Sequence, residues 1–158
     1  MRLALYQPDI AQNAGTLLRL AACLGLGVDI IEPCGFILGD AKFRRAGMDY
    51  LDRVELKRHV SWKAYREGQR AAGGRLVLLT TRAAQAYTEV AFAPDDTLMV
   101  GRESAGVPDE VHAAAGLRVV IPMRAELRSV NVALAASMVI GEALRQTGLF
   151  PPLERDEP

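Results

Sequence analysis

A chain of 158 residues, half of them hydrophobic and 24% charged, has the make-up of one ordinary globular domain that buries a core without staples. Nineteen basic residues balance nineteen acidic ones, so global charge does not mark a nucleic-acid binder and any basic surface must be local. Two cysteines without Cys-x-x-Cys or His-rich spacing exclude a disulfide framework and give no sign of a metal. With no signal peptide after Met1-Arg2 and no apolar run of spanning length, a soluble cytoplasmic protein without membrane contact is expected.

Residues 3–6 read as a short apolar strand, and 7–12 as a polar loop around Pro8. Leu17, Leu20, Ala21 and Leu24 recur at helical spacing, which predicts a helix over 13–24 that stops at Gly25, with Asn13 able to cap it. A second strand over 28–31 is followed by a loop over 34–40, a short basic helix over 42–46 and an edge strand over 54–60. Ser61 is placed to cap a helix running to about Ala72, where Gly73-Gly74 ends it. Residues 76–79, 98–100 and 119–121 are continuous apolar runs of the kind that buried parallel strands show. Pro108 opens a short helix to Ala115, and a last helix is expected over 130–147. Strands alternating with helices define an α/β fold with a mostly parallel sheet flanked by helices. Residues 1–150 are expected to form a single domain, and 151–158 a frayed, disordered tail.

Three segments concentrate polar groups where strands stop or helices start. Asn13-Ala14-Gly15-Thr16-Leu17-Leu18-Arg19 opens the first helix, with Gly15 allowing close backbone approach and Arg19 one turn further on, near the azimuth of Asn13. Taken alone it reads equally well as a capped helix with a solvated arginine. Gly101-Arg102-Glu103-Ser104-Ala105-Gly106-Val107-Pro108 is a glycine-punctuated turn at the carboxyl end of a buried strand, where ligands of α/β sheets sit. Ile121-Pro122-Met123 and Arg128-Ser129-Val130-Asn131-Val132 lead into the last helix with more polar groups than one cap needs. Glu103 is placed to brace its loop by accepting backbone amides. Gly25-Leu26-Gly27 follows a helix and precedes a strand, the reverse of a dinucleotide fingerprint, and no Walker motif or histidine triad is present. The basic residues Lys42, Arg44, Arg45, Arg53, Lys57, Arg58, Lys63 and Arg66 form either a solvated face or a phosphate-contacting patch.

The three motifs, in this order and spacing, resemble the SpoU-type branch of the SPOUT methyltransferases. With Ile31-Glu32-Pro33-Cys34-Gly35-Phe36, Arg44-Arg45-Ala46-Gly47-Met48-Asp49-Tyr50 and Leu79-Thr80-Thr81, the chain is similar to the small tRNA (cytidine/uridine-34) 2′-O-methyltransferases of the TrmL type over nearly its whole length. Val130 and Val132 stand where that family often has Leu or Met and Leu, both apolar exchanges. The resemblance implies a C-terminal deep trefoil knot, a homodimer, and S-adenosyl-L-methionine as cofactor without a metal. Its implied substrate is the wobble ribose of a tRNA anticodon stem-loop, with tRNA-Leu expected. It places cofactor contacts on Leu79, Thr80, Gly101, Ile121, Met123 and Ser129, catalytic roles on Arg19, Ser129 and Asn131, and RNA contacts on Asn13, Arg44 and Arg45. The alternatives are a different tRNA or rRNA nucleotide as target, a non-enzymatic RNA-binding module of the same fold, and a doubly wound nucleotide-binding protein, which the missing phosphate loop disfavours.

Overall fold

The structure, a computed structural model, describes every residue except Asp40, Lys42, Arg44, Ala46, Gly47 and 154–158, and only the backbone of 48, 49 and 51. The expected basic helix over 42–46 therefore lies largely outside the described residues.

Among the described residues six strands form one all-parallel sheet in the order β3-β2-β1-β5-β4-β6. They are β1 (Arg2–Tyr6), β2 (Gly27–Ile31), β3 (Leu56–His59), β4 (Leu76–Leu79), β5 (Thr97–Val100) and β6 (Leu117–Val119). The helices are α1 (Ala11–Leu24), α2 (Trp62–Ala72), α3 (Asp109–Ala114) and α4 (Val132–Thr147), with 3₁₀ turns at Met48–Arg53 and Tyr87–Glu89. Helices cover both faces, so the inner strands are apolar on both sides and read as continuous runs rather than as alternation. Leu3, Leu5, Val28, Ile30, Val77 and Val100 pack with residues of α1 and α4 on one face. Ala4, Tyr6, Ile31, Leu78 and Met99 pack with Tyr65 of α2 and Val111 of α3 on the other.

The helix boundaries follow local chemistry. Gly25 takes the left-handed conformation (φ 69°) and returns its N–H to Ala21 and Ala22 carbonyls, ending α1 as predicted. Ser61 Oγ accepts from the Ala64 N–H at 3.2 Å and starts α2. Asn131 caps α4, so that helix begins at Val132 rather than at 130. Three other expectations are corrected. Helix α1 begins at Ala11, with Ile10 at the cap position and no side-chain cap, so Asn13 lies inside the first turn. The last strand is Leu117–Val119, not 119–121: Leu117 and Val119 pair with Val77 and Leu79, whereas Val120 exchanges backbone hydrogen bonds with Gln85 and Tyr87. Ile121 is thereby released from the ladder. Edge strand β3 is likewise shorter than 54–60.

A partly buried polar cluster ties β1, β2 and β3 together. Asp29 on β2 is 5% exposed and accepts from Arg2 Nε at 2.6 Å, with His59 Nε2 at 2.7 Å on its other oxygen. Trp62 and Tyr65 stack on each other at 5.6 Å; Tyr6 meets the edge of Trp62.

Candidate cofactor and substrate site

The carboxyl ends of β4 and β5 and the segment following β6 surround a cleft of about 400 Å³, within the range of small-molecule sites. Leu79 and Thr80 come from β4, Gly101 from β5, Ile121 and Met123 from the stretch after β6, and Ser129 and Asn131 from the approach to α4. All six positions expected to contact a cofactor line it together. The local reasons differ. Thr80 N–H donates to Val119 O at 2.9 Å, which extends the ladder one residue and sets the Leu79–Thr80 backbone at the rim. Ile121 is present because Val120 turned to Gln85 and Tyr87. Gly101 is dictated by close approach: a Cβ there would lie 2.7–3.0 Å from the Gly106 backbone, against which the loop is pinned by Arg102 N–H to Gly106 O and Gly106 N–H to Arg102 O.

The polar wall is a relay of side chains. Asn131 Oδ1 accepts from the Ala133 and Leu134 amides at 2.9 and 3.3 Å, and its Nδ2 donates to Asn13 Oδ1 at 3.1 Å. Asn13 Nδ2 donates to Glu103 Oε1 at 3.1 Å. Glu103 Oε2 accepts the Asp9 N–H at 3.1 Å, and Asp9 returns the bond by accepting the Glu103 N–H at 3.1 Å and the Ser104 N–H and hydroxyl. Glu103 thus braces its loop by accepting, as expected, although from the β1–α1 loop rather than from its own turn. The Asp9 carboxyl is held down to about 2 by its bonds to Glu103 and Ser104; burial and then the neighbouring Asp9 raise Glu103.

Other predicted residues fall elsewhere. Arg19 is exposed, does not line the cleft of its own chain, and sits over the Tyr50 ring at 5.1 Å. The shared azimuth with Asn13 fails because six residues at 3.6 per turn rotate Arg19 by roughly 120° from it. Arg45 is exposed, and Arg44 lies outside the described residues. Lys57 pairs with Glu55 and Arg58 with Glu32, which leaves that part of the basic stretch largely neutralised. Asp9 and Arg102 carry no local sequence signal. No spacing rule connects Asp9 to a carboxylate 94 residues away, and Arg102 lies between Gly101 and Glu103 with no pattern of its own. Among the described residues no cluster of His, Cys, Asp and Glu is placed to hold a metal, and no helix is long and apolar enough to cross a membrane.

An all-parallel sheet with a cleft of backbone rims and apolar strand ends at its carboxyl edge defines an α/β protein with a small-molecule site that is not built on a phosphate loop. The chain belongs to the SpoU rRNA Methylase family, whose model matches residues 1–141. A protein of Beijerinckia indica subsp. indica named tRNA (cytidine(34)-2′-O)-methyltransferase is 65% identical over 146 residues, which are 92% of this chain and 91% of that one. A solved structure concerned with 2-OH methylation of C/U34 on tRNA superposes with a TM-score of 0.87 at 41% identity, covering 92% of this chain and 94% of the other. The AdoMet-bound rRNA methyltransferase of Sinorhizobium meliloti has a TM-score of 0.85 at 26% identity, covering 91% of this chain and 55% of that larger one.

Proposed function

We propose that this chain transfers a methyl group from S-adenosylmethionine to the ribose 2′-hydroxyl of the wobble nucleotide, cytidine or a modified uridine at position 34, of a cytoplasmic tRNA bound through its anticodon stem-loop. The carrying observation is the cleft that gathers Leu79, Thr80, Gly101, Ile121, Met123 and Ser129 beside the Asn131–Asn13–Glu103 relay. The high identity to relatives named for this reaction supports it.

The residues fit the cofactor. A flat, uncharged adenine suits the apolar ends at Leu79, Ile121 and Met123, with backbone groups at the rim for its polar edge, and the missing side chain at Gly101 keeps the floor of the cleft open. S-adenosylmethionine supplies an activated methyl group on a sulfonium; S-adenosylhomocysteine and a proton leave. The protein positions the 2′-hydroxyl and excludes water around it. Ser129 and Asn131 orient the hydroxyl or the cofactor. Arg19 is permanently protonated, so it acts by holding phosphate and stabilising developing alkoxide charge rather than by taking the proton. Asn13, Arg44 and Arg45 contact RNA.

Arg19 reaches the cleft of a second copy. Helix α4 leaves Leu134 and Met138 61% and 44% exposed, with Val130 and Leu127 beside the cleft also bare. Such an apolar stripe calls for a partner surface, and a symmetric dimer through it brings Arg19 of one subunit towards Ser129 of the other. The deep knot implied by the family is supported by contacts of the C-terminal segment with the loop after β4: Val120 is bonded to Gln85 and Tyr87, and Gln146 near the end of α4 bonds to Val90 and Phe92 of the same loop.

Incubation with labelled S-adenosylmethionine and total tRNA from a strain lacking the enzyme, followed by nucleoside mapping, tests the reading. Label on the 2′-oxygen of nucleotide 34, with tRNA-Leu as the expected acceptor, is the predicted result; label on a base or on another ribose rejects it.

A further inference from the structure

Among the described residues around the cleft, only Arg102 and Glu103 are charged. Glu103 is consumed by Asp9 and Asn13. Arg102 is not consumed. Its Nε is buried without a hydrogen-bond partner, and among the described residues its guanidinium makes no hydrogen bond or ion pair. Arg75 grips Asp96, Arg2 grips Asp29, and Arg118 donates to the His112 and Ala115 carbonyls; Arg66 shares an unpartnered Nε but places both terminal nitrogens on Gln69 and the Ala114 carbonyl. A buried guanidinium nitrogen without an acceptor is costly. Here the cost is incurred on a loop whose backbone is clamped by the Arg102–Gly106 pair and by Asp9, at a half-buried residue that lines the cleft. The arrangement is a preformed anion site facing the cofactor cleft.

The cofactor offers one matching group. S-adenosylmethionine carries a sulfonium, an ammonium and a carboxylate, and only the carboxylate attracts an arginine. The surroundings favour an amino-acid terminus over an RNA phosphate. Glu110 in the first turn of α3 and Arg102 act with opposite sign on the same Tyr6 phenol, which places an acidic group near the arginine, while the neighbouring Asp109 is taken by Arg82. A zwitterion tolerates an acidic group beside the arginine, whereas a phosphodiester is repelled by it. We propose that Arg102 binds the carboxylate of the methionyl end of S-adenosylmethionine, so that the loop over residues 101–106 grips the tail of the cofactor as well as its nucleoside. The inference rests on the proposed use of that cofactor, and it assigns a specific contact to a residue whose role no motif defines.

Calorimetry on the full chain with two neutral thioethers isolates the contact. S-adenosylhomocysteine carries the amino-acid end; 5′-methylthioadenosine keeps the nucleoside and lacks that end. Arg102→Ala is expected to weaken S-adenosylhomocysteine by about tenfold or more, the scale of one charge-assisted bond, and to leave 5′-methylthioadenosine within about twofold. Arg102→Lys, which keeps the charge but not the planar fork, is expected to recover part of the loss. Equal loss for both ligands would show a deformed cleft and overturn the assignment, as would no loss for either. Weakened tRNA binding with a shallower salt dependence and unchanged S-adenosylhomocysteine affinity would assign Arg102 to a phosphate instead and overturn it too. A wild-type chain that binds neither thioether overturns the cofactor reading itself, and this contact with it.

Discussion

Asn131 Nδ2 donates to Asn13 Oδ1 at 3.1 Å, joining the first turns of α1 and α4 across 118 residues of sequence. The same Asn131 caps α4 through its oxygen, so one side chain does two jobs that substitution separates. Asn131→Asp keeps an acceptor for the Ala133 and Leu134 amides but points a carboxylate at the Asn13 carbonyl. Its thermal stability should stay near wild type while methyl transfer falls. Asn131→Ala loses both, at a cost of about 1 kcal/mol in stability from the cap alone. Thermal melts beside initial rates check the pair. Equal activity in Asn131→Asp and wild type would reduce the residue to a cap.

Gly101 is tolerated only without a side chain, because a Cβ would press within 3.0 Å of the Gly106 backbone, which has no side-chain end to swing aside. Gly101→Ala should cost about 1–3 kcal/mol of strain, as overpacking does, and should lower cofactor affinity by moving the very loop that lines the cleft. Calorimetric titration with S-adenosylhomocysteine measures it; unchanged affinity would mean that the loop opens without affecting the cleft.

The Asp9–Glu103 pair gives the loop a defined response to pH. The Asp9 carboxyl is depressed to about 2 by its Glu103 and Ser104 donors. Its contribution is therefore complete above the unfolded carboxylate range and disappears only as pH falls towards 2. Glu103 is raised by burial and by Asp9. Its proton favours the folded form, so that stability is present at low pH and lost as pH rises through the raised value. Glu103→Gln carries no charge to bury; it should match wild type at about pH 4 and exceed it near neutrality. Asp9→Asn should lose stability at neutral pH and recover relative to wild type only near pH 2. Denaturant unfolding across this range tests both signs.

Strand and helix positions were legible because the sheet is covered on both faces: four-residue apolar runs such as Leu76–Leu79 have few alternative fates. Gly25 and Ser61 marked helix ends because their roles depend on their own backbone and the next turn. What failed depended on distant partners. Asn13 has the chemistry of a cap, but Glu103 and Asn131 take both ends of its amide, and α1 starts two residues earlier. Residues 120–121 are as apolar as the strand before them, yet Val120 turns to Gln85. The cofactor positions come from resemblance; residue chemistry alone marks Gly101–Pro108 as a strand end where ligands sit and the approach to the last helix as over-supplied with polar groups. Asp9 and Arg102 stayed hidden because neither carries a local signal.

Arg19 stacks on Tyr50 at 5.1 Å, outside its own cleft. If it stabilises developing charge on the ribose oxygen, Arg19→Ala should cut the rate of methyl transfer by on the order of 10²–10³, the scale of one lost oxyanion donor, with S-adenosylhomocysteine affinity nearly unchanged. A loss of cofactor affinity as large as the loss of rate would remove it from the reaction.

A shared site has a sharper consequence than a dimer alone. Leu134→Glu combined with Met138→Glu should give monomers by sedimentation, since two charges would be buried against the apolar stripe of the other copy. Those monomers should not transfer methyl groups. Loss of activity on its own could come from a damaged α4, so complementation is the stronger measurement. In a heterodimer of Arg19→Ala and Asn131→Ala chains, one site contains both lesions and the other contains neither. Random mixing in equal amounts makes half of the dimers mixed, so about a quarter of wild-type activity should return when two inactive proteins are unfolded and refolded together. No recovery, with mixed dimers confirmed by tagged pull-down, would mean that Arg19 serves a cleft in its own chain.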